Sequence, residues 1–417
     1  MLTHVLWMSV ALSSSVANEA EPPAPLPPFG LSSKGFYLGT SDGKFQLRLR
    51  GVIQADGRTF VDDESRALAD SFLIRRARIY FEGNVGETID FRVLPDFGEG
   101  KLQLLDAWVN LRVAEWLQLR VGKVKSPFGL ERLQAEQNLV FAERGLTSNL
   151  APDRDVGADL HGAVVSGALE YDLGIFDGVP DGASVDGDLS SPKDLDGRVF
   201  VWPFKATGFA QLHQLGFGVA GTWGHQSGSP SVTNLPTYKS AGQQTVFSFI
   251  SDSKTGIAYA SGERWRLSPQ ACAYVGPFGA QVEYVRSTER VVRGPYSDIL
   301  AQQAWQAQLS FAVTGERESY EGIDPIAPFS IEHGTFGALE LAIRAGQLLI
   351  DPGAFAHLAD PNASVQRVTE LGAAASWYLS RNARFGASFS RSGFEAGKTG
   401  GDRVPEYALI ARAQVAF

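Results

Sequence analysis

From residue 44 onward apolar residues recur at every second position, segment after segment, and this period constrains the fold more than any other property of the chain. In "KFQLRLRG", Phe45, Leu47 and Leu49 fall on one side of an extended backbone and Gln46, Arg48 and Arg50 on the other, because successive side chains of a strand point to opposite faces. Leu105, Ala107, Val109 and Leu111 alternate in the same way with Asp106, Trp108, Asn110 and Arg112, and Leu117, Leu119 and Val121 with Gln118 and Arg120. Trp305, Ala307, Leu309, Phe311 and Val313 oppose Gln306, Gln308, Ser310 and Thr314. Leu371, Ala373, Ala375, Trp377 and Leu379 face away from Gly372, Ser376 and Tyr378, and Phe385 and Phe389 away from Arg384, Ser388 and Ser390. The closing "YALIARAQVAF" sets Tyr407, Leu409, Val415 and Phe417 against Arg412 and Gln414.

The connections between these segments also alternate. "VGPFG" (275 to 279) and "LSRNA" (379 to 383) are short and carry turn residues, whereas 225 to 261, 286 to 302, 350 to 366 and 390 to 404 read as long polar loops. Tight turns at one end and long loops at the other are the pattern of outer-membrane barrels, and pairing the segments gives roughly sixteen strands, an even number as such barrels require. No window approaches the roughly 20 apolar residues that a spanning helix needs. A closed sheet instead pairs every backbone N–H and C=O where lipid offers no partner. The expected fold is therefore all-β, a transmembrane antiparallel β-barrel with its apolar face on lipid and its polar face on a lumen. A soluble sandwich or β-helix also alternates, with the apolar faces packed on each other. Its strands usually stop at about 5 or 6 residues, and here the aromatics gather at strand ends, as an interfacial girdle does. One long connection, 315 to 335, falls on the short-turn side and has no explanation in the pattern.

The chain has 417 residues, 44% of them hydrophobic and 20% charged, which excludes disordered, collagenous and helical membrane classes. A lone Cys272 permits no intrachain disulfide framework. Residues 1 to 17 read as a signal peptide: an apolar run from Val5 to Leu12 ends at Ser15-Val16-Ala17. No Lys or Arg precedes that run, so the signal is atypical or the true start lies upstream. Residues 18 to 35, containing "EPPAPLPPFG", read as a Pro-rich periplasmic segment, and 36 to 417 as one barrel.

Two glycine motifs look chemical. "GFGVAG" (216 to 221) has the letters of a dinucleotide fingerprint but is followed by the loop-like "TWGHQSGSP" instead of a helix; glycines on a barrel strand more simply make room for neighbours. "GFEAGKT" (393 to 399) departs from the phosphate-loop spacing and also lacks a following helix. The six histidines show no metal spacing. No cofactor, nucleic-acid partner or catalysed reaction is expected.

"DSFLIRRARIYFEG" (70 to 83) concentrates positive charge in a chain whose formal net charge is -9. Alternation puts Arg76, Arg78, Tyr80 and Glu82 on one face with Ile74, and leaves Arg75 with Ala77, Ile79 and Phe81 unless the strand is bulged or Arg75 lies at its aqueous end. Arg48, Arg50, Arg112 and Arg120 face the same lumen from other strands and make a positive wall. The alternative is a set of solvated charges paired with Asp106, Glu82 and others.

"FLIRRARIYFEG", "DAWVNLRV" (106 to 113), "LRVGKVKSPFGLERL" (119 to 133) and the terminal "ARAQVAF" together resemble the phosphate-selective porin O and P family of Gram-negative outer membranes. The resemblance runs from about residue 36 to the end. It implies a sixteen-stranded barrel, a homotrimer in outer-membrane lipid, whose third long loop, roughly 123 to 158, folds inward as a constriction. That loop carries Lys123, Lys125, Arg132, Arg144 and Arg154. By the same resemblance Arg75 and Arg76 with a loop lysine, Lys125 foremost, form the anion site, Arg78 and Lys123 stand beside it, and Asp106 is the acidic partner. A guanidinium fork matches phosphate oxygens and stays charged at physiological pH. Glu131, Glu136, Glu143, Asp153 and Asp155 share the loop, which implies a filter weaker than phosphate-specific. The expected function is passive anion diffusion, phosphate or polyphosphate foremost. A general diffusion porin and a structural or adhesive surface barrel are the alternatives.

Overall fold

The computed structural model describes residues 29–32, 35–61, 68–187 and 192–417. The expected signal peptide and all but the last residues of the Pro-rich stretch lie outside them. Sixteen antiparallel strands follow in chain order: β1 (Phe45–Val61), β2 (Ser71–Val85), β3 (Ile89–Asp96), β4 (Gln103–Ala114), β5 (Leu117–Lys125), β6 (Arg154–Val164), β7 (Leu169–Phe176) and β8 (Asp194–Val201). The second half comprises β9 (Leu215–Ser227), β10 (Tyr259–Val275), β11 (Phe278–Arg293), β12 (Tyr296–Ala312), β13 (Ala338–Leu349), β14 (Val365–Ser380), β15 (Ala383–Lys398) and β16 (Glu406–Ala416). Each pairs with its sequence neighbours, and β16 pairs with β1 from Tyr407 opposite Val61 to Ala416 opposite Val52. The sheet is thereby closed, as the alternation required.

Alternation translates directly into two surfaces. Along β12 every second residue from Leu300 to Ala312 is buried, while Trp305 and Leu309 between them are exposed. Ile53, Phe72, Ile79, Val109, Leu173, Val219, Val282, Ile343 and Leu371 project outward in the same way. In water such a surface would drive aggregation; in a bilayer it is the lipid contact.

β1 outruns β16, so its lower part needs another partner. The segment Gly35–Gly39 supplies it, pairing Phe36 with Leu49 and Gly39 with Gln46, and is itself paired with Phe29–Ser32. At the junction Phe417 and Gly51 exchange backbone bonds, Phe417 N–H to Gly51 O at 2.9 Å and Gly51 N–H to Phe417 O at 2.7 Å. The Phe417 ring lies over Gly51, where a Cβ would sit 2.4 Å from it. Gly51→Val is therefore expected to lower barrel stability by about 1–3 kcal/mol, the usual cost of overpacking. A urea midpoint, followed by tryptophan fluorescence, that stays at the wild-type value would show that the ring swings away freely.

Gly216 and Gly218 lie on β9, and a Cβ on either would come within 2.5 Å of the Phe200 ring. The dinucleotide-like letters thus mark space left for an aromatic on β8.

Several expected loops turn out otherwise. The stretch 286 to 302 is strand on both sides of Gly294-Pro295, with Arg293 still paired with Tyr296. Above the apolar band outward residues such as Arg290 and Ser297 are polar, so alternation fades while the backbone ladder continues. The stretch 390 to 404 is likewise mostly the upper part of β15. Inside 228–258 two small hairpins form, Thr237–Lys239 with Thr245–Ser248 and Ser251–Asp252 with Gly256–Ile257.

This connection and the segment 126–153 fold into the barrel and share a core. Phe128, Leu146 and Leu150 pack with Tyr238, Phe247 and Phe249 and with Val285, Leu300 and Leu348 of the wall. Tyr238 stacks on Phe247 at 5.5 Å between centroids. Burial of such side chains stabilises by about 1.5–3 kcal/mol each, so hydrophobic packing fixes the loops inside while the outer surface is left to lipid.

Candidate functional site

The ladder between β1 and β2 skips at the arginine motif: Gln54 pairs with Arg76, and the next residue, Ala55, pairs with Ile74. Arg75 is the extra residue of a bulge, which re-aims a side chain that strict alternation would send to lipid. Three arginines consequently reach loop carboxylates from one wall. The same bulge turns Ile74 outward, where it is exposed, against the expectation that it shares the face of Arg76. A second bulge, where Leu94 pairs with Asp106 and Pro95 with Leu104, turns Leu105 into the lumen beside Val52, Tyr80 and Leu94.

The inserted segment meets this wall through two carboxylates. Glu143 accepts from Arg75 Nε at 2.6 Å and Nη2 at 3.0 Å. Arg412 stands 3.4 Å, Arg58 3.8 Å and Arg76 4.0 Å from the same carboxylate. Burial opposes its ionisation, yet Arg75 and then Arg76 hold the Glu143 carboxyl well below its ordinary range. Glu136 is ringed in the same manner, by Arg78 at 2.6 Å, Arg144 at 3.1 Å, Lys125 at 3.6 Å and Arg154 at 3.8 Å. Such pairs orient the loop; their net contribution to stability is small beside what is lost when one partner goes.

The motif arginines are not equally committed. Arg75 is divided between Glu143 and Glu99, the latter at 3.0 Å, and Arg78 is held by Glu136 and by Asp96 at 2.7 Å. Arg76 donates to the amide of Gln54 at 2.7 Å, and its Nε has no hydrogen-bond partner among the described residues. It is the motif guanidinium with donors to spare.

Lys123 and Lys125 lie on β5 and Arg154 on β6, so the inserted segment is 126–153, narrower than the expected 123 to 158. Lys125 Nζ donates to the carbonyls of Arg132 at 2.9 Å and Gln134 at 3.0 Å, capping the short helix Leu130–Leu133. Lys123 pairs with Asp186 of the next long connection. Asp106 accepts from Arg154 at 2.9 Å and lies 3.7 Å from Arg92; it does not join Arg75 and Arg76. The expected wall is inward throughout. Arg50 pairs with Glu82 at 3.0 Å, Arg112 with Asp90 at 3.6 Å and Arg120 with Asp159 at 2.7 Å, while Arg48 bonds Gln46 at 2.8 Å.

Two cavities meet at Glu136, which lines both. The outer one, about 520 Å³, is lined by Arg75, Arg76, Arg78, Arg132, Arg144 and Lys239 against Asp96, Glu136, Glu143, Asp153 and Asp181. The inner one, about 390 Å³, has Arg50, Arg92, Arg120, Lys125, Arg154 and Arg198 against Asp106, Glu136 and Asp172. Six cations face five carboxylates outside the constriction and three within it. Behind the inner lining, Glu82 pairs with Arg50 and Arg92 and Asp159 with Arg120, so the surplus of cations belongs to the cavity surface and not to the whole neighbourhood. Arg58, Arg92 and Arg198 were missed by sequence reasoning, although the alternation of Asp194, Asp196, Arg198 and Phe200 along β8 already points Arg198 inward, and Arg412 was placed on the polar face without a role.

The anomalous long connection on the tight-turn side, 313–337, also enters the barrel. Tyr320 Oη donates to the Leu130 carbonyl at 2.6 Å, and Gln134 Nε2 donates to the Tyr320 carbonyl at 2.8 Å. Ile323 packs with Ala312, Ala338 and Tyr378. It thus buttresses the constriction from below, and an inner cavity of about 600 Å³ opens between Tyr320, Arg50, Arg384 and Phe417.

A closed barrel with an apolar exterior, a charged lumen and loops folded inside defines a membrane channel of the porin class. The phosphate-selective porin O and P model matches residues 45–417, and the chain belongs to that family. It is similar to Porin O of Pseudomonas aeruginosa, 24% identical over 391 residues that cover 86% of this chain and 85% of the relative. Among solved structures, the outer membrane channel DcaP of Acinetobacter baumannii superposes with a TM-score of 0.56 at 10% identity, covering 93% of this chain and 99% of that one. An anion-selective porin from Comamonas acidovorans gives 0.52 at 10% identity over 89% and 99%. OmpT of Vibrio cholerae in its trimer form gives 0.55 at 8% identity over 89% and 99%. At these identities the likeness is one of fold. Membership of this porin family places the chain among the channels of the Gram-negative outer membrane.

Proposed function

We propose that the chain conducts anions by passive diffusion, inorganic phosphate or polyphosphate among them, as a homotrimer in outer-membrane lipid. The observation that carries this reading is the surface of the inner cavity, which six cations and three carboxylates line, with Glu82 and Asp159 set behind Arg50, Arg92 and Arg120 and no ion pair to Arg198 among the described residues, in a chain of net charge -9. At about 4 Å and an effective dielectric of about 20 each unpaired cation attracts an anion by about 4 kcal/mol before desolvation, and spacing them along the lumen favours passage over trapping. The descriptions of the family as phosphate-selective and of the Comamonas acidovorans porin as anion-selective lend support.

A second reading, a general diffusion porin, is favoured by the pairing of Arg75 and Arg78 with Glu143 and Glu136. The reversal potential of a single channel across a KCl gradient separates the two: anion preference supports the first, near-zero potential the second. Arg76→Ala is expected to weaken phosphate block of the chloride current several-fold, since its donors are the least committed of the motif. Block that survives the substitution unchanged would remove Arg76 from the anion path.

A further inference from the structure

We infer that the cavity beneath the inserted loop selects organic carboxylates with a flat apolar body, such as aryl carboxylates, over inorganic anions of equal charge. The inference rests on the anion reading and names the solute class of its inner cavity.

The first ground is which cations there are free to bind. Arg50 and Arg92 share the carboxylate of Glu82, at 3.0 and 2.8 Å, with Asp106 a further 3.7 Å from Arg92. Arg198 has no ion pair among the described residues; its contacts are the Gln270 amide, at 3.3 Å from Nη2, and a ring. These guanidinium groups keep donor capacity that Lys125 and Arg154, tied to the loop, have lost.

The second ground is what surrounds them. Arg92 lies 5.8 Å from the Tyr80 ring centroid and 5.3 Å from that of Trp108, Arg50 lies 5.3 Å from Tyr80, and Arg198 4.6 Å from Phe200. Aliphatic side chains, Leu94 and Val124 among them, complete the wall. A compact oxyanion can use the guanidinium donors of this wall but gains nothing from its aromatic and aliphatic part, against which its shed water is not replaced. A carboxylate on a flat ring satisfies both halves: its two oxygens take a guanidinium fork, and its ring lies against aromatic and aliphatic surface.

The test is block of chloride current through the whole channel in a planar bilayer by benzoate and by acetate, which share a headgroup and differ in the apolar body. Benzoate is expected to block at about a tenfold lower concentration than acetate, and Trp108→Ala to shrink that ratio by more than half. Equal block by the two acids in a channel that still prefers anions would overturn this inference alone. A channel without anion preference would overturn the underlying reading with it. If Trp108→Ala does not assemble, Trp108→Leu, which keeps bulk without the ring face, serves the same comparison, and the wild-type ratio decides in either case.

Discussion

Glu136→Gln is expected to release the constriction loop and to shift the channel further toward anions. One carboxylate faces four buried or nearly buried cations, Arg78, Arg144, Lys125 and Arg154, all within 3.8 Å. The amide keeps the shape and one acceptor but removes the charge that offsets four like charges from one another. Breaking a buried pair at one end costs about 3–5 kcal/mol, enough to let a loop segment that is otherwise held by packing sample other positions. Lys125 and Arg144 retain their carbonyl bonds, to Arg132, Gln134 and Glu131, and Phe128, Leu146 and Leu150 remain in the apolar core, so the barrel itself stays closed. Single-channel recording should therefore show larger current fluctuations and a reversal potential displaced in the anion direction. If both match the wild type, Glu136 is not the clamp, and the loop is held by its apolar side alone.

The same residues show how far sequence reasoning reaches. The barrel was legible because lipid on one side and water on the other force a period of two on every spanning strand. That signal weakened where its cause weakened: above the apolar band, around Arg290 and Ser297, both faces are polar and strand read as loop. The bulge at Leu105 was invisible for a related reason, since one extra residue leaves composition untouched and only shifts which face each residue takes. At Arg75 the sequence does leave a bulge or an aqueous strand end open, because an arginine on the lipid face would be costly enough to need an explanation. The lumen arginines of β1, β2, β4 and β5 could be placed from periodicity, but not their partners. Glu136 and Glu143 arrive from a segment whose path is set by tertiary packing of Phe128, Leu146 and Leu150, and no local rule reports that. The carboxylates noted as diluting the anion filter turn out to be the groups that hold the loop in place. Lys125 illustrates the limit most plainly: a cation in a family motif reads as a ligand for anions, while its ammonium is already surrounded by carbonyl oxygens at the end of a four-residue helix.

Raising the pH toward 9 is expected to loosen the segment 313–337 and raise conductance, through Glu318. This carboxyl sits in the inserted connection, 2% exposed. Burial first, and then the neighbouring Glu340, push it up to about 9. The surrounding charged and titratable groups include Tyr274, Glu340, Tyr378, whose hydroxyl donates to Glu340 at 2.6 Å, and Arg384, which donates to that hydroxyl at 3.0 Å. Arg384 thus serves Glu340 through Tyr378, and no cation among the described residues pairs directly with Glu318. The sign follows from proton binding. A carboxyl whose value is higher in the inserted state than in the released one, where it returns to about 4.5, holds a proton in that state across the interval between the two values. Insertion is therefore most stable at low pH and weakens as pH rises through the interval, by up to about 1.4 kcal/mol per pH unit. Above about 9 both states are ionised and the loss is complete. Because Tyr320 and Gln134 couple this segment to the constriction, its release widens the periplasmic exit. Conductance measured from pH 5 to 10 should rise over the upper part of the range, and Glu318→Gln, neutral throughout, should flatten that rise. A rise of the same size in the variant would assign the pH response to another group.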